Sequence, residues 1–156
     1  MTDSSQRSKI EYSTLNEFRQ DAERIAQLDY RTVGKWSFGQ IMLHLAMAIE
    51  GSIDGFPFRG PWYIRKLAAP LIKNSLLSKP LKPGFRLPKY AENYLPDPDV
   101  TTYSALSRVQ SAVSRIQVEA PQAEHPFLGK LAEEIVRGNS HPRLIILAGG
   151  AGNGKS

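Results

Sequence analysis

The distribution of proline divides this chain into segments that favour regular structure and one that does not. Eight of the eleven prolines lie between residues 56 and 98. Proline lacks a backbone donor and its ring clashes with the preceding turn, so helix interiors rarely contain it. Regular helices are therefore predicted on both sides of a proline-rich connection. Within the connection, residues 62–77 keep a helical period that Pro70 would kink, and residues 78–98 are predicted to be irregular.

Two helices are predicted before the connection, each with a capping box at its start. Thr14 and Glu17 have the required three-residue spacing, and so do Ser37 and Gln40. The first helix should cover residues 14–27, with one apolar stripe at helical steps. That stripe consists of Leu15, Phe18, Ala22 and Ile25.

The second helix is predicted to begin at Ser37 and to carry a wider apolar face. Its apolar positions are Phe38, Ile41, Met42, Leu45, Ala48 and Ile49. Gly51 and the pair Asp54-Gly55 are expected to end this helix, because glycine is a common helix terminator.

A further helix is predicted after the connection, across residues 100–118 with Asp99 as its cap. Its apolar stripe is Tyr103, Leu106, Val109, Val113 and Ile116. Residues 131–137 begin like another helix, but Gly138, Asn139 and Pro142 would stop it. Arg143–Ala148 is a short apolar run typical of a buried strand.

The composition narrows the class of protein. The chain has no cysteine, which excludes disulfides, thiolate metal sites and cysteine nucleophiles. Residues 1–12 are polar and carry no secretory signal, and no apolar run approaches the roughly 18 residues of a membrane span. A cytoplasmic location is the expectation.

Positive charge is concentrated in the connection. The stretch 55–91 contains no acidic residue and eight basic ones: Arg59, Arg65, Lys66, Lys73, Lys79, Lys82, Arg86 and Lys89. Such a field attracts phosphates, nucleic acid or anionic lipid. We expect a solvated loop whose aromatic residues pack back on the helices, without a stable nucleic-acid or membrane partner. The alternative is a non-enzymatic interaction module that uses this basic loop.

The last eight residues match a phosphate-binding P-loop. They are Gly149-Gly150-Ala151-Gly152-Asn153-Gly154-Lys155-Ser156, directly after the strand-like run. In such loops the backbone amides surround the phosphates, the lysine reaches the outer phosphates and the serine binds magnesium. Gly149, Gly154, Lys155 and Ser156 are the candidate phosphate contacts. The segment 141–156 therefore resembles the opening of a P-loop kinase, and a truncated nucleotide-binding kinase is an alternative function.

Two motifs resemble the DinB-like superfamily. Trp36-Ser37-Phe38-Gly39-Gln40, followed on the same helix by His44-Leu45, is similar to its second-helix signature. The run from His125 to Leu131 is similar to the loop before the last helix in an uncharacterised branch, a domain of unknown function. With the helix order, the resemblance covers about residues 10–134.

The resemblance implies an all-α four-helix bundle with a long, proline-rich crossover. Many members bind a divalent metal, such as Zn, Ni or Fe, through one histidine on the second helix and two on the last, and some are metal-dependent thiol transferases or isomerases. His44 matches the first metal position. The two last-helix histidines are missing here, since only His125 and His141 remain. An ancestral metal-dependent enzyme or small-molecule binder with an incomplete metal site is the leading hypothesis.

Helical spacing gives His44 two alternative roles. It should lie about 110° from the centre of the apolar stripe, where it could face a bundle cleft or be satisfied at the core margin.

The chain is accordingly divided into a polar tail at 1–12, a DinB-like bundle at 13–134 and an atypical tail at 135–156. We expect the last helix to be incomplete and the region 131–156 to contain a truncation, frameshift or fusion junction. A bundle lacking most of its fourth helix would expose apolar stripes, which favours a homodimer.

Overall fold

The computed structural model describes residues 12–32, 34–63 and 89–119. These ranges contain three α-helices: α1 Leu15–Ala26, α2 Phe38–Asp54 and α3 Thr102–Val118. A 3₁₀ helix, Lys89–Tyr94, precedes α3. The described ranges contain no strand, so the all-α prediction is confirmed for them. Residues 62 and 63 are helical, while the rest of the predicted helix at 62–77 and the whole of residues 120–156 lie outside the described ranges.

The capping boxes behave differently at the starts of α1 and α2. At α2 the box is complete: the Gln40 amide donates to Ser37 Oγ at 3.2 Å, and the Ser37 amide donates to Gln40 Oε1 at 3.0 Å. At α1, Thr14 Oγ1 accepts from the Glu17 amide at 3.1 Å, but the Glu17 carboxylate accepts from Ser13 at 2.8 Å. The bonds to Thr14 Oγ1 and Ser37 Oγ satisfy first-turn amides that each helix leaves without acceptors.

The predicted cap of α3 is wrong. Thr101 is the N-cap, and its Oγ1 accepts from the Ser104 amide at 3.2 Å. The Asp99 amide instead donates to Asp97 Oδ1 at 2.9 Å. Residues 97–100 form a turn around Pro98, so the chain takes helical geometry two residues later than the Asp99 cap would require.

Gly51 does not end α2, contrary to the sequence prediction. The helix continues to Asp54, and Gly55 ends it with a φ of 101°, in the region that favours glycine. Gly51 has a packing role instead. A Cβ atom at Gly51 would lie 2.6 Å from Cε1 of Phe56, so the missing side chain makes room for the phenyl ring.

The core lies where α3 packs against both α1 and α2. The predicted stripe of α1 is confirmed, with Phe18 and Ala22 buried and its other two members packed against the core. On α2 the buried face includes Leu43 and Ala46, which the prediction omitted. The buried members of the core cluster, across the three helices, are Phe18, Ala22, Phe38, Met42, Leu43, Ala46, Ala105, Val109, Ala112 and Val113.

The apolar stripe of α3 was predicted incorrectly at one end. Tyr103 is 83% exposed, whereas Ala105 and Ala112 are fully buried. Small side chains allow neighbouring helices to approach closely, and such positions are easily overlooked when only large apolar residues are counted.

Two ion pairs tie α3 to α2 along one edge of this contact. Arg108 donates to both carboxylate oxygens of Glu50, with the shortest distance at 2.7 Å. Further along both helices, Arg115 of α3 donates to both carboxylate oxygens of Asp54 of α2 at 2.8 Å. Hydrogen bonds from Arg115 hold the pKa of Asp54 below its usual value. These pairs are largely exposed, so they specify the alignment of the two helices more than they stabilise them.

Candidate functional site

His44 is held in the first half of α2, next to an aromatic residue that precedes the helix. The rings of Trp36 and His44 are 5.1 Å apart between centroids and inclined at 56°. Trp36 stands directly before Ser37, whose complete capping box fixes the chain entering α2. The motif that carried the family resemblance thus brings an indole and an imidazole into contact.

The Nδ1 atom of His44 is the notable polar atom of this site. It is buried, and no other described residue forms a hydrogen bond with it. Burial lowers the pKa of His44 below the usual histidine value, so the ring is neutral at physiological pH. Leaving such an atom without a partner costs about 1–3 kcal/mol, so a polar group from a ligand would be stabilised there.

His44 lies away from the face of α2 that packs into the core. It is two residues from Met42 and two from Ala46, which places it about 160° around the helix from each. Both of those residues are buried in the core cluster. The imidazole is therefore farther from the core than the 110° expected from the predicted stripe, because the observed face is centred on Met42, Leu43 and Ala46.

The proline-rich connection is attached to α2 two turns beyond His44. Gly51, seven residues later, lies about 20° from the direction of His44 and roughly 10 Å along the helix. The Phe56 ring packs at Gly51, and the Tyr94 hydroxyl donates to the backbone oxygen of Met47. Tyr94 also contacts Phe56 and Phe58, with centroids 5.7 and 5.3 Å away.

This attachment joins the start and the end of the connection to the same side of α2. The burial of the Tyr94 hydroxyl raises the pKa of Tyr94, which keeps it protonated as a donor. Sequence reasoning missed Phe56 and Tyr94, and it interpreted Gly51 as a helix end. The unusual placement of a glycine inside an otherwise apolar helix was the one signal that could have indicated them.

The remaining predicted site residues lie outside the described ranges. They are Gly149, Gly154, Lys155 and Ser156, and their predicted role in phosphate binding stays a prediction. His125 and His141, which do not form the expected last-helix pair, also lie outside these ranges. Among the described residues, no group of three or more histidine, cysteine, aspartate or glutamate side chains is placed to hold a metal ion.

A second polar cluster lies on the exposed side of α1. The Tyr12 hydroxyl donates to Asp21 Oδ2 at 2.6 Å, and Arg24 donates to Asp21 Oδ1. These bonds lower the pKa of Asp21, with the Tyr12 hydroxyl as the largest cause. The Asp21 carboxylate is paired with Tyr12 and Arg24. The cluster therefore ties the segment before α1 to the helix, and its carboxylate is already hydrogen-bonded.

Acidification is expected to destabilise the protein through His44. Because the folded-state pKa is lowered, the unfolded chain binds a proton below about pH 6.5 that the folded protein does not. The contribution of the neutral ring is complete above that pH and is lost as the pH falls towards the folded-state pKa. Urea unfolding between about pH 7.5 and pH 5 should give a flatter profile for His44→Asn than for the parent protein. Equal slopes would show that His44 is not the responsible group.

None of the helices in the described ranges is both long and apolar enough to cross a membrane.

Comparison with known proteins identifies a family. The model of a family described as "Protein of unknown function (DUF1569)" matches residues 4–138. No curated protein and no solved structure gives a significant match. The match includes all three helices, the 3₁₀ helix and the Trp36–His44 contact. Since it covers most of the 156 residues, the chain belongs to the DUF1569 family.

Proposed function

We propose that this protein is a DinB-like helical bundle that binds a small molecule beside His44. The observation that carries the proposal is the buried Nδ1 atom of a neutral imidazole, for which the described part of the chain supplies no hydrogen-bond partner. The indole of Trp36 adds an aromatic surface in contact with the same ring. Such a pairing suits a ligand with a flat apolar part and one polar group directed at Nδ1.

The described residues do not make a metal site around His44. Stable transition-metal sites use three or four protein ligands, and His44 supplies one nitrogen. The DinB-like resemblance implies a divalent metal, but the histidine pair expected on the last helix is missing from the sequence. We therefore assign no reaction step to a metal, and the ligand in this proposal is a small organic molecule.

The proposed four-helix arrangement is supported by apolar residues that the described helices cover only in part. α3 packs against both other helices, with the partly buried apolar residues Ile41, Leu45 and Ile49 at the margin of the core. A helix bundle is the common solution for amphipathic helices that must cover such positions. The fourth helix would come from residues outside the described ranges.

Ligand binding can be tested by exploiting the geometry of histidine substitutions. The amide of asparagine occupies approximately the place of Nδ1, and the amide of glutamine that of Nε2. A panel of small carboxylic acids, amides and thiols would be screened by thermal shift and by tryptophan emission. Trp62→Phe leaves Trp36 as the fluorophore, since the chain has two tryptophans.

A ligand that pairs with Nδ1 should raise the melting temperature and change Trp36 emission in the parent protein. His44→Asn should retain part of the response, while His44→Gln and His44→Phe should lose about tenfold or more in affinity. Binding that is equal in all variants, or no binding by any member of the panel, would contradict the proposal.

Metal analysis of the purified protein provides a separate check. A stoichiometric divalent metal that is absent from His44→Asn would replace the small-molecule proposal with a metal centre.

A further inference from the structure

Two aromatic residues in the connection lie at the surface. Trp62 is 67% exposed and Tyr63 is 52% exposed. Their rings contact each other edge to face, with centroids 6.2 Å apart and planes at 85°. The expectation that Trp62, Tyr63, Phe85 and Tyr90 pack back on the helices is wrong for this pair. Phe85 and the side chain of Tyr90 lie outside the described residues.

The exposed pair follows an anchored piece of chain. Phe56 packs at Gly51 of α2, and Phe58 contacts Tyr94. Gly60, two residues before Trp62, is buried. The backbone leading to the pair is therefore fixed against the helical core, and exposing two large rings at this point is a cost that a binding partner would remove.

Positive charge is concentrated in the sequence that surrounds the pair. Arg59 and Lys89, at the two described ends of the connection, are both exposed. The sequence from 55 to 91 has eight basic residues and no acidic one. A partner that complements this region must be negatively charged and must also accept amphipathic aromatic rings.

We infer that Arg59, Trp62 and Tyr63 form a docking surface for anionic phospholipid. Tryptophan and tyrosine concentrate at the membrane interface, where the ring is in an apolar layer and the polar edge stays hydrated. Basic residues add electrostatic attraction to anionic headgroups. The attachment is peripheral and reversible, because two rings and a few charges bury little area.

The ring geometry favours lipid over single-stranded nucleic acid as the partner. Successive bases stack on aromatic faces that are presented to the strand. The perpendicular Trp62–Tyr63 pair uses one of its faces in its own edge-to-face contact. A lipid interface has no such directional requirement, so the same pair can enter it as a unit.

Cosedimentation with vesicles tests this surface. Vesicles of phosphatidylcholine alone would be compared with vesicles containing about 30% phosphatidylglycerol, at low and high salt. The double variant Trp62→Ala, Tyr63→Ala removes the rings, and Arg59→Gln removes one charge. Tyr103→Ala is the matched control, because Tyr103 on α3 is also a highly exposed aromatic residue.

We expect the parent protein and Tyr103→Ala to bind the anionic vesicles, with weaker binding at high salt and little binding to phosphatidylcholine. The ring variant should bind at least about tenfold more weakly, and Arg59→Gln about fivefold more weakly. Circular dichroism would establish that the variants remain helical. The inference is overturned by equal binding to both vesicle types, by full binding of the ring variant, or by binding to a single-stranded oligonucleotide without binding to vesicles.

Discussion

Replacement of Phe18 by alanine is expected to lower the free energy of unfolding by about 3–5 kcal/mol. Among the described residues, Phe18 is the largest side chain that is almost completely buried, at 2% exposure. It belongs to α1, which packs on α3, and its ring also contacts Tyr12 with centroids 5.7 Å apart. The substitution loses apolar burial and leaves a cavity between helices that cannot collapse fully.

Urea unfolding followed by circular dichroism measures this loss. Leu28→Ala is the matched control, since Leu28 follows α1 and is 52% exposed. That variant should stay within about 0.5 kcal/mol of the parent protein. A loss below about 1 kcal/mol for Phe18→Ala would show that α1 does not contribute the core that the structure assigns to it.

Gly39→Ala is the second substitution with a large expected effect. A Cβ atom at this position would lie 2.9 Å from the Val100 oxygen and 3.2 Å from the Thr102 nitrogen. Both are backbone atoms at the start of α3, so neither can move aside as a side chain would. Alanine normally improves a helix by up to about 1 kcal/mol relative to glycine. Here the clash should dominate, and we expect a net loss of about 1–3 kcal/mol.

Gly51→Ala provides an informative comparison. Its Cβ would also be too close to a neighbour, but that neighbour is the ring of Phe56, which can rotate. We expect a smaller loss of stability than for Gly39→Ala when both are unfolded in urea. A stabilising effect of Gly39→Ala would mean that the starts of α2 and α3 do not meet as closely as the structure indicates.

The positions of the helices were predictable because their signals are local. A capping box and a stripe of apolar residues at steps of three and four depend only on neighbouring residues, and these signals located α1 and the start of α2. Features that depend on distant contacts were not predictable. Gly51 is not a helix end, because the Phe56 ring packs against it, and Tyr103 is exposed, because alanines make the helix contact of α3.

The candidate site shows the same division. His44 was named from its position in a motif, but spacing alone shows neither the missing partner of Nδ1 among the described residues nor the burial of Met42 and Ala46 on the opposite face. The Tyr94 contact with Met47 joins residues 47 positions apart in the chain. Such contacts depend on how the intervening connection packs, which no local sequence pattern predicts.

The proposed site is built on the Nδ1 atom of His44. Imidazole ¹⁵N NMR measures the state of this atom directly. The protein has three histidines, so His44→Asn assigns the His44 signals by their disappearance. In the free protein at neutral pH we predict a neutral ring. Addition of a ligand identified in the small-molecule screen should shift the Nδ1 resonance more than the Nε2 resonance of His44. Ligand binding that leaves both His44 nitrogens unchanged, or a protonated His44 ring at neutral pH, would contradict the proposed site.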